Sequence, residues 1–552
     1  MDIRAEVNRA LDYTKQKEFK KAEKIYLEIL KVDSQNAVVL SFLGLLYMNV
    51  GHFGKSKKCL LKADSIKSNP ATTEGLGLVN YFLNRYKDAE GYFEKIIDNS
   101  KSFDVYDKYT HCLLKSKQFS KAYKYSEKFY QLYPLAKESA YRLANSCIHI
   151  GKFDDAYRYS LNLTTRFPKY AEGWQTLGLV YEIYFHDEEE SNKCFQKVLR
   201  LGNKFSGYYN LSVNSYKIGD YKKSLYYINK LKKADPDSTT ADFTLAIIYM
   251  KQCKYKKGLK YYSKYIHESY KKDPDDDLNR LKNIWDGKTY KDETLLVYAD
   301  QGVGDNIMFS RYMPFLEKKF KQIKVLLYEP LFDLFKYAFR DYKKIKFYKK
   351  GGKFPQYDKS AILSCLAAYL KMDYGNIPFS DKYFDVEQKY IDKYSKIITT
   401  DKKLKVGICW EAGAAGLREQ LNRTLNVSMF EPFLNMKNVQ FYSLQVNPAM
   451  DNYKDYPQII DLGKDFKDYS DTAGAIKNLD LVVTVDTSVA HLAGALGVKT
   501  FMLLPYCTDW RWFDDKVKTP WYNSVKLFKQ TDPKDWDSII EKVTEELKNE
   551  QA

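Results

Sequence analysis

The sequence lacks the features of secreted, zinc-binding and membrane-spanning proteins. Its eight cysteines are scattered without a Cys-x-x-Cys pair, so we expect buried thiols in a reducing compartment rather than disulfides or zinc ligands. No apolar run approaches the length of a membrane-spanning helix, and the first residues contain no apolar signal region. These absences predict a cytoplasmic protein without a transmembrane segment.

Nucleic-acid-binding motifs are also absent, although the formal net charge is +18. Lys and Arg outnumber Asp and Glu by 45 to 30 in residues 1–270, but only by 44 to 41 in residues 271–552. No RNA-recognition, helix-turn-helix or zinc-finger signature accompanies the excess. The basic first half therefore predicts an acidic partner or membrane surface, or reflects only a lysine-rich composition. It does not predict nucleic-acid binding.

Small residues recur through the first half of the chain at intervals of 33 or 34 residues. These residues are Ala10, Gly44, Gly77, Thr110, Ala144, Gly178, Ser212 and Ala246. Such a period is typical of paired short helices, because small residues let the two helices approach each other. No unit covers its own apolar face, so the units must stack into an α-solenoid.

The periodic pattern resembles the tetratricopeptide repeat (TPR), and it does so most closely around Trp174, Gly178 and Tyr181. The resemblance covers about residues 1–270, or about eight units. It implies a groove that binds a protein or peptide. The positive charge of this half of the chain would favour an acidic partner.

The second half of the chain contains two series of alternating strands and helices. We expect a linker at 271–293, a first α/β domain at 294–380, a second linker at 381–404 and a second α/β domain at 405–552. The predicted strands are 295–300, 324–329, 345–348, 406–410, 440–445, 459–462, 481–485, 500–504 and 525–528. This alternation predicts two doubly wound domains that face each other across a cleft.

The most informative stretch is the buried strand at 481–485 with the residues that follow it. Polar Asp486, Thr487 and Ser488 precede a short helix that ends before Gly497. Ligands of open α/β sheets bind at the carboxyl ends of strands, where the free N–H groups of a helix's first turn attract anions. His491 lies in this turn, as a ligand-binding residue or as a buried structural histidine.

A glycine turn follows the first strand of the other series. Gln301, Gly304 and Asn306 are expected to line the cleft there, but the turn lacks the third glycine and the spaced acid of a dinucleotide site. Asp305 is a candidate general base, because it lies near a strand's carboxyl end on the opposite domain. A cap of the helix predicted at 306–319 is the alternative role for Asp305.

These motifs resemble those of the heptosyltransferase-like glycosyltransferases of family nine, which have the two-domain GT-B fold. The turn at Gly304 matches their N-terminal Gly-Asp turn, and residues 486–491 match their Asp-[Ser/Thr]-Gly-Pro-x-His element. Ser488 and Val489 replace the Gly-Pro pair, which puts the donor sugar in doubt. The resemblance covers about residues 293–550, and tryptophan-rich segments near the end resemble the subgroup fused to TPRs.

The resemblance implies an inverting transfer of a sugar from a nucleotide-diphosphate sugar, with no further cofactor. Arg423 lies where the family has a basic phosphate contact, so Arg423 and the helix after Asp486 would stabilise the leaving diphosphate. No Asp-x-Asp motif stands in a metal-binding context, because residues 275–277 lie in the predicted linker. The expected chemistry therefore needs no metal.

Other residues near the predicted strand ends are weaker candidates for ligand contacts. Trp410, Trp510 and Trp521 would stack on a base or sugar, or else pack in the core. Glu411 would help to bind the donor, or else lie as a solvated carboxylate in a loop.

Three functional hypotheses follow from these patterns. The leading hypothesis is a cytoplasmic glycosyltransferase whose repeats recruit a protein acceptor. The second is a lipopolysaccharide or other glycan glycosyltransferase whose repeats bind assembly partners, and the third is a scaffold whose transferase-like module has lost activity. Under the first hypothesis, deleting residues 1–270 is expected to leave the donor site intact, because that site is predicted wholly beyond residue 293.

Overall fold

The computed structural model describes residues 2–270, 281–300, 302–398, 403–413, 423–446, 455–513, 517–533 and 535–551. The chain divides into two compact units, Met1–Gly207 and Tyr208–Ala552. The described residues of the first unit form helices and turns, and the second unit combines helices with two parallel sheets.

Sixteen α-helices occupy the described residues before 271, and helices such as α3 and α4, α9 and α10, and α15 and α16 pair with each other. Their bounds are α1 Ile3–Lys15, α2 Phe19–Val32, α3 Ala37–Asn49, α4 Phe53–Ile66, α5 Pro70–Phe82, α6 Tyr86–Glu94, α7 Phe103–Lys115, α8 Phe119–Leu132, α9 Lys137–His149, α10 Phe153–Arg166, α11 Ala171–Val180, α12 Glu188–Arg200, α13 Lys204–Lys217, α14 Tyr221–Ala234, α15 Thr239–Lys251 and α16 Tyr255–Tyr270. A π-helical turn, Tyr181–Phe185, extends α11. The predicted TPR-like solenoid of helical pairs is confirmed.

The periodic small residues lie where the two helices of a pair touch, and all eight are buried. A Cβ added to Gly77 of α5 would lie 2.5 Å from Cε1 of Phe93 in α6, and one added to Gly44 would lie 2.6 Å from Cγ of Leu60. Contacts under 3.0 Å require the neighbouring side chain to move. A small residue on the first helix therefore accommodates a large one on the second.

Ten strands form two sheets in the second unit. Their bounds are β1 Tyr290–Tyr298, β2 Phe320–Leu327, β3 Ile345–Lys349, β4 Lys359–Ile362, β5 Leu404–Cys409, β6 Val439–Ser443, β7 Ile459–Asp461, β8 Leu481–Val485, β9 Thr500–Leu504 and β10 Val525–Lys529. The strand orders are β3-β2-β1-β4 and β10-β9-β8-β5-β6-β7. Every described strand pair is parallel. The predicted parallel α/β architecture of this half is confirmed at this level.

The described helices of the α/β part connect or flank these strands. Their bounds are α17 Val303–Ser310, α18 Phe332–Ala338, α19 Leu366–Tyr369, α20 Gln388–Ser395, α21 Glu431–Leu434, α22 Tyr469–Ile476, α23 Ser488–Ala495 and α24 Asp537–Gln551. The helix predicted at 306–319 is wrong in both bounds. It starts earlier, at Val303, and gives way to a 3₁₀ turn at Met313–Lys318, because Pro314 cannot donate the next helical hydrogen bond.

The last helical pair, α15 and α16, belongs to the second unit and packs against its α/β part. The ring of Tyr255 lies 5.9 Å from that of Trp521, and the ring of Tyr262 lies 6.0 Å from that of Trp510. His267 Nε2 and the Tyr369 hydroxyl form a hydrogen bond of 2.5 Å. The end of the repeat array is therefore also part of the α/β core.

None of the helices in the described part of the chain is long and apolar enough to cross a membrane.

Candidate functional site

The candidate site lies where the strand order reverses in each sheet. Strand β1 has β2 and β4 as neighbours, and β8 has β5 and β9. In open α/β sheets, ligands bind outside the carboxyl ends of the strands at such a switch point. The helices that follow β1 and β8, α17 and α23, pack against each other, so the two switch points meet.

A glycine makes the close approach of these two helices possible. A Cβ added to Gly304 would lie 2.8 Å from Cδ2 of His491 and 3.4 Å from Cα of Ser488. Any larger residue would push the first turns of α17 and α23 apart. Gly304 therefore lies at the contact between α17 and α23, where its structural role is helix packing.

Asp305 is held in an ion pair across this junction. Its Oδ1 accepts from Nε of Arg511 at 2.8 Å and lies 2.5 Å from Nη2, while Nη1 of Arg511 lies 2.7 Å from Oδ1 of Asp509. Burial raises the pKa of Asp305, and the Arg511 charge opposes this increase. Asp305 is the third residue of α17, whose N-cap is Gly302, so it lies within the helix that it was expected to precede.

Asp486 and Arg423 form a second charged pair at the end of β8. Nη1 of Arg423 lies 3.5 Å from Oδ2 of Asp486. Burial raises the pKa of Asp486 to about 6, although the Arg423 charge acts in the opposite direction. The predicted phosphate contact and the predicted strand-end carboxylate are therefore neighbours.

The first turn of α23 presents its backbone at the same place. Thr487 occupies the N-cap position without a side-chain cap hydrogen bond, and its hydroxyl lies 3.1 Å from that of Thr484. The Ser488 hydroxyl lies 2.8 Å from that of Tyr469. The hydroxyls of Thr487 and Ser488 thus contact Thr484 and Tyr469. The Thr487 side chain does not cap the N terminus of α23.

His491 is a buried neutral histidine. Its Nδ1 lies 3.0 Å from the Tyr522 hydroxyl, and its ring stacks on Trp512 with a centroid separation of 5.2 Å. Burial, together with the nearby charges of Arg511 and Arg311, lowers the pKa of His491 to about 3. These contacts fit the structural alternative, and the uncharged ring cannot serve as a cation for a diphosphate.

The remaining predicted residues are buried. Trp410, Trp510 and Trp521 are at most 2% exposed, which fits core packing rather than stacking on a ligand. The alternative of a solvated Glu411 is wrong, because this residue is 8% exposed and its N–H donates to Gln445 Oε1 at 3.0 Å.

Asn306 is 1% exposed and donates from Nδ2 to the Gly302 carbonyl at 3.0 Å. Gln301 lies outside the described residues.

Sequence reasoning missed two arginines, Arg311, which is fully buried, and Arg511, whose side chain is 16% exposed. Nη1 of Arg311 donates to the Trp521 carbonyl at 2.8 Å, and its guanidinium lies over the Tyr383 and Tyr522 rings. The available signal was a lone cation within the apolar stretch 307–316. Arg511 lies in Asp509-Trp-Arg-Trp512, one of the tryptophan-rich segments that resemble the TPR-fused subgroup, and this resemblance assigns no role to its charge.

A buried carboxylate after β1 was also missed. Asp300 accepts from the Ser364 hydroxyl at 2.6 Å and from the Ser364 N–H at 3.1 Å. Burial raises its pKa to about 6, in spite of these hydrogen bonds. Ser364 follows β4, so this contact joins the ends of the two strands at the first switch point.

Comparisons with known proteins concern mainly the repeats. Family models described as "Tetratricopeptide repeat" and "Anaphase-promoting complex, cyclosome, subunit 3" match residues 37–70 and 83–160. Protein FlbA of Caulobacter vibrioides is 22% identical over 466 residues, covering 76% of this chain and 75% of its own length.

Two solved structures illustrate the structural likeness. A tetratricopeptide repeat protein from Parabacteroides merdae has 12% identity and a TM-score of 0.37, and it covers 45% of this chain and 98% of its own. YrrB, "a TPR protein with an unusual peptide-binding site", has 19% identity and a TM-score of 0.30, with coverages of 32% and 92%. The family-model matches confirm that the chain contains tetratricopeptide repeats.

Proposed function

We propose that this chain is a glycosyltransferase, which transfers a sugar from a nucleotide-diphosphate sugar to a protein acceptor recruited by its repeats. One observation carries the proposal. The switch points of two parallel sheets meet through α17 and α23, with Asp305 on one side and the Arg423–Asp486 pair on the other. α/β proteins bind nucleotides at switch points of this kind. The GT-B fold is the two-domain form of this arrangement.

The donor diphosphate would bind at the start of α23. The N–H groups of the first turn and the helix dipole attract anions. Arg423 adds a cation that is paired with Asp486 at 3.5 Å, longer than the usual 2.7–2.9 Å of a charge-assisted hydrogen bond. A diphosphate would compete for this arginine, whose charge would stabilise the leaving group as the glycosidic bond breaks.

Asp305 would act as the general base on the acceptor side. Its carboxylate accepts the proton of the acceptor hydroxyl while the acceptor oxygen forms a bond to the anomeric carbon. The bond from that carbon to the diphosphate breaks, and its electron pair leaves with the nucleoside diphosphate. A single displacement of this kind inverts the anomeric configuration.

The repeats would supply the acceptor. Stacked TPR units offer an extended concave surface for a peptide or protein, and the basic excess of residues 1–270 favours an acidic one. Binding to such an acceptor should weaken as salt rises. A lipopolysaccharide or other glycan acceptor would depend neither on the repeats nor on salt in this way.

A non-catalytic scaffold is the second candidate, and a specific observation favours it. Asp305 is engaged by Arg511 through two nitrogens, and a carboxylate held by a guanidinium is a weak base. In a scaffold this ion pair would simply fasten α17 to the segment that follows β9.

Calorimetry of the full chain with UDP, ADP and GDP, with and without EDTA, tests the proposal. We expect one nucleotide to bind in both conditions. If the folded chain binds none of the three, the scaffold replaces the glycosyltransferase.

Two substitutions then test the assigned roles. Asp305→Asn should keep nucleotide affinity but reduce turnover by roughly 10²–10⁴-fold, the usual contribution of a general base. Arg423→Ala should weaken nucleotide binding by about tenfold or more, because it removes a charge-assisted hydrogen bond. The exposed Asp333, in the first turn of α18, and the surface residue Arg340 provide matched controls as Asp333→Asn and Arg340→Ala. Full turnover by Asp305→Asn would exclude Asp305 as the base.

A further inference from the structure

A buried lysine at the end of the repeat array contacts the segment that carries Arg511. Lys251 is the last residue of α15 and is 3% exposed. Its ammonium group donates to the Thr508 hydroxyl and the Phe513 carbonyl, and it lies 3.4 Å from the Asp509 carbonyl. A buried ammonium group is costly unless its donors are used. Three acceptors from one short segment, residues 508–513, meet this requirement.

The 508–513 segment is folded tightly around the lysine. Residues Trp510–Trp512 form a 3₁₀ turn. Asp509 caps its start, because Oδ1 of Asp509 accepts from the Arg511 N–H at 3.0 Å. The turn ends at Phe513, which has a φ of 48°. A bulky residue in this left-handed region persists only when its surroundings hold it there. Lys251 provides such a hold, because it binds the carbonyl of this residue.

The same segment determines where Arg511 points. The Arg511 carbonyl accepts from Nε1 of Trp521 at 2.6 Å, while its guanidinium bonds both Asp509 and Asp305. A continuous series of contacts therefore runs from Lys251 through the 508–513 segment to Asp305. Lys251 and Asp305, at the two ends of this series, are 54 positions apart in the sequence and lie on different helices, α15 and α17.

We propose that Lys251 is a positioning residue for the Arg511–Asp305 pair, which makes the last helical pair of the repeats part of the reaction machinery. The catalytic part of this inference rests on the proposed function. Without the ammonium group, the Thr508 hydroxyl loses its donor. The Phe513 carbonyl keeps only the Thr508 hydroxyl, and the Asp509 carbonyl keeps only the Trp512 N–H, so the 508–513 segment relaxes. Arg511 then no longer holds Asp305 in place, so the carboxylate becomes more basic but loses its orientation, and the loss of orientation lowers turnover.

The charged and titratable surroundings of Asp305 come from several elements. They are Arg511 and Asp509 of the 508–513 segment, Asp300 after β1 and Tyr262 of α16. Arg511 is the cation among them, so its displacement should move the acidic limb of the turnover profile to higher pH.

Hydrogen exchange on the full chain tests the positioning without any assay of turnover. Lys251→Met removes the charge and keeps most of the length. We expect amide exchange to rise by about tenfold or more both in residues 508–513 and in α17. Lys254→Met is the matched control, because the exposed Lys254 bonds the Gln252 side chain outside this segment. A rise confined to residues 508–513 would overturn the proposal, since Lys251 would then stabilise that segment alone.

Kinetics test the catalytic consequence. Lys251→Met should lower kcat by about tenfold or more, keep nucleotide affinity by calorimetry, and shift the acidic limb of the kcat profile upward. Unchanged kcat and profile in a folded, nucleotide-binding variant would overturn the catalytic role. If the wild-type chain binds no nucleotide, the proposed function fails, and hydrogen exchange still decides the positioning.

A milder variant covers the case in which Lys251→Met does not fold. Thr508→Val removes one of the acceptors, together with the hydrogen bond that Thr508 donates to the Phe513 carbonyl. The change in shape is small, so exchange should rise in the same two segments by a smaller factor. No change in α17 with Thr508→Val would contradict the inference in that case.

Discussion

Deleting residues 1–270 should unfold the α/β part instead of leaving a free donor site. Helix α16 contributes Tyr255, Leu259, Tyr262 and Ile266 to the core of this unit, and each is at most 2% exposed. Burying a large apolar side chain contributes about 1.5–3 kcal/mol, so the four together contribute roughly 6–12 kcal/mol. A typical domain is stable by only about 5–15 kcal/mol in total. We therefore expect the donor site to survive deletion of the repeats only when the last helical pair is kept.

Two fragments make the test. Residues 203–552 keep α13–α16 whole, whereas residues 271–552 lack the last helical pair. The longer fragment should unfold in urea with one cooperative transition in near-ultraviolet circular dichroism. The shorter fragment should show no such transition and should bind the dye ANS, as loosely packed chains do. A cooperative transition of the shorter fragment at the same urea concentration would refute the reasoning.

Two further predictions concern the junction of the two sheets. Gly304→Ala should lower the free energy of unfolding by about 1–3 kcal/mol, because its Cβ would lie 2.8 Å from His491. Gly302→Ala is the control, since its Cβ would lie 4.0 Å from the nearest atom. Urea denaturation measures both free energies of unfolding, and equal effects would contradict the packing role of Gly304. Burial raises the pKa of Asp486 from 3.8 to about 6, so this group favours folding at acidic pH, and its contribution is lost as the pH rises through 6. A nucleotide-diphosphate sugar should bind more tightly at pH 5.5 than at pH 7.5, because protonation removes a negative charge beside the diphosphate and frees Arg423. Calorimetry at both pH values should show this dependence in the wild type and not in Asp486→Asn.

Much of the parallel architecture is visible in the sequence because buried parallel strands are continuous apolar runs. The strands at 481–485 and 500–504 agree with the prediction at both ends. Strand β4 was missed, since Lys359–Ile362 has four residues and only one that is β-branched. Its place in the sheet is determined by pairing with β1, which no local pattern reveals.

The site was predictable only in part, because contacts between residues far apart in the sequence leave no local pattern. Asp305 and Asp486 could be found because each follows a strand by a few residues. Arg511 and Lys251 act on partners 206 and 257 positions away in the sequence, Asp305 and Thr508. Such contacts exist only after the layers have packed, so the sequence presents Lys251 as one more lysine of a basic array.

The buried small residues of the repeats have a consequence for how this chain can evolve. Three helical pairs before residue 203 are closed by the same kind of contact, between Gly44 and Leu60, Gly77 and Phe93, and Gly178 and Phe195. Gain or loss of a whole unit of 34 residues near the beginning of the array keeps every such contact in register. The pair α15–α16 has no such freedom, because it is also core. Descendants of this chain should therefore differ in the number of early repeats, and should inherit the last pair together with the two sheets.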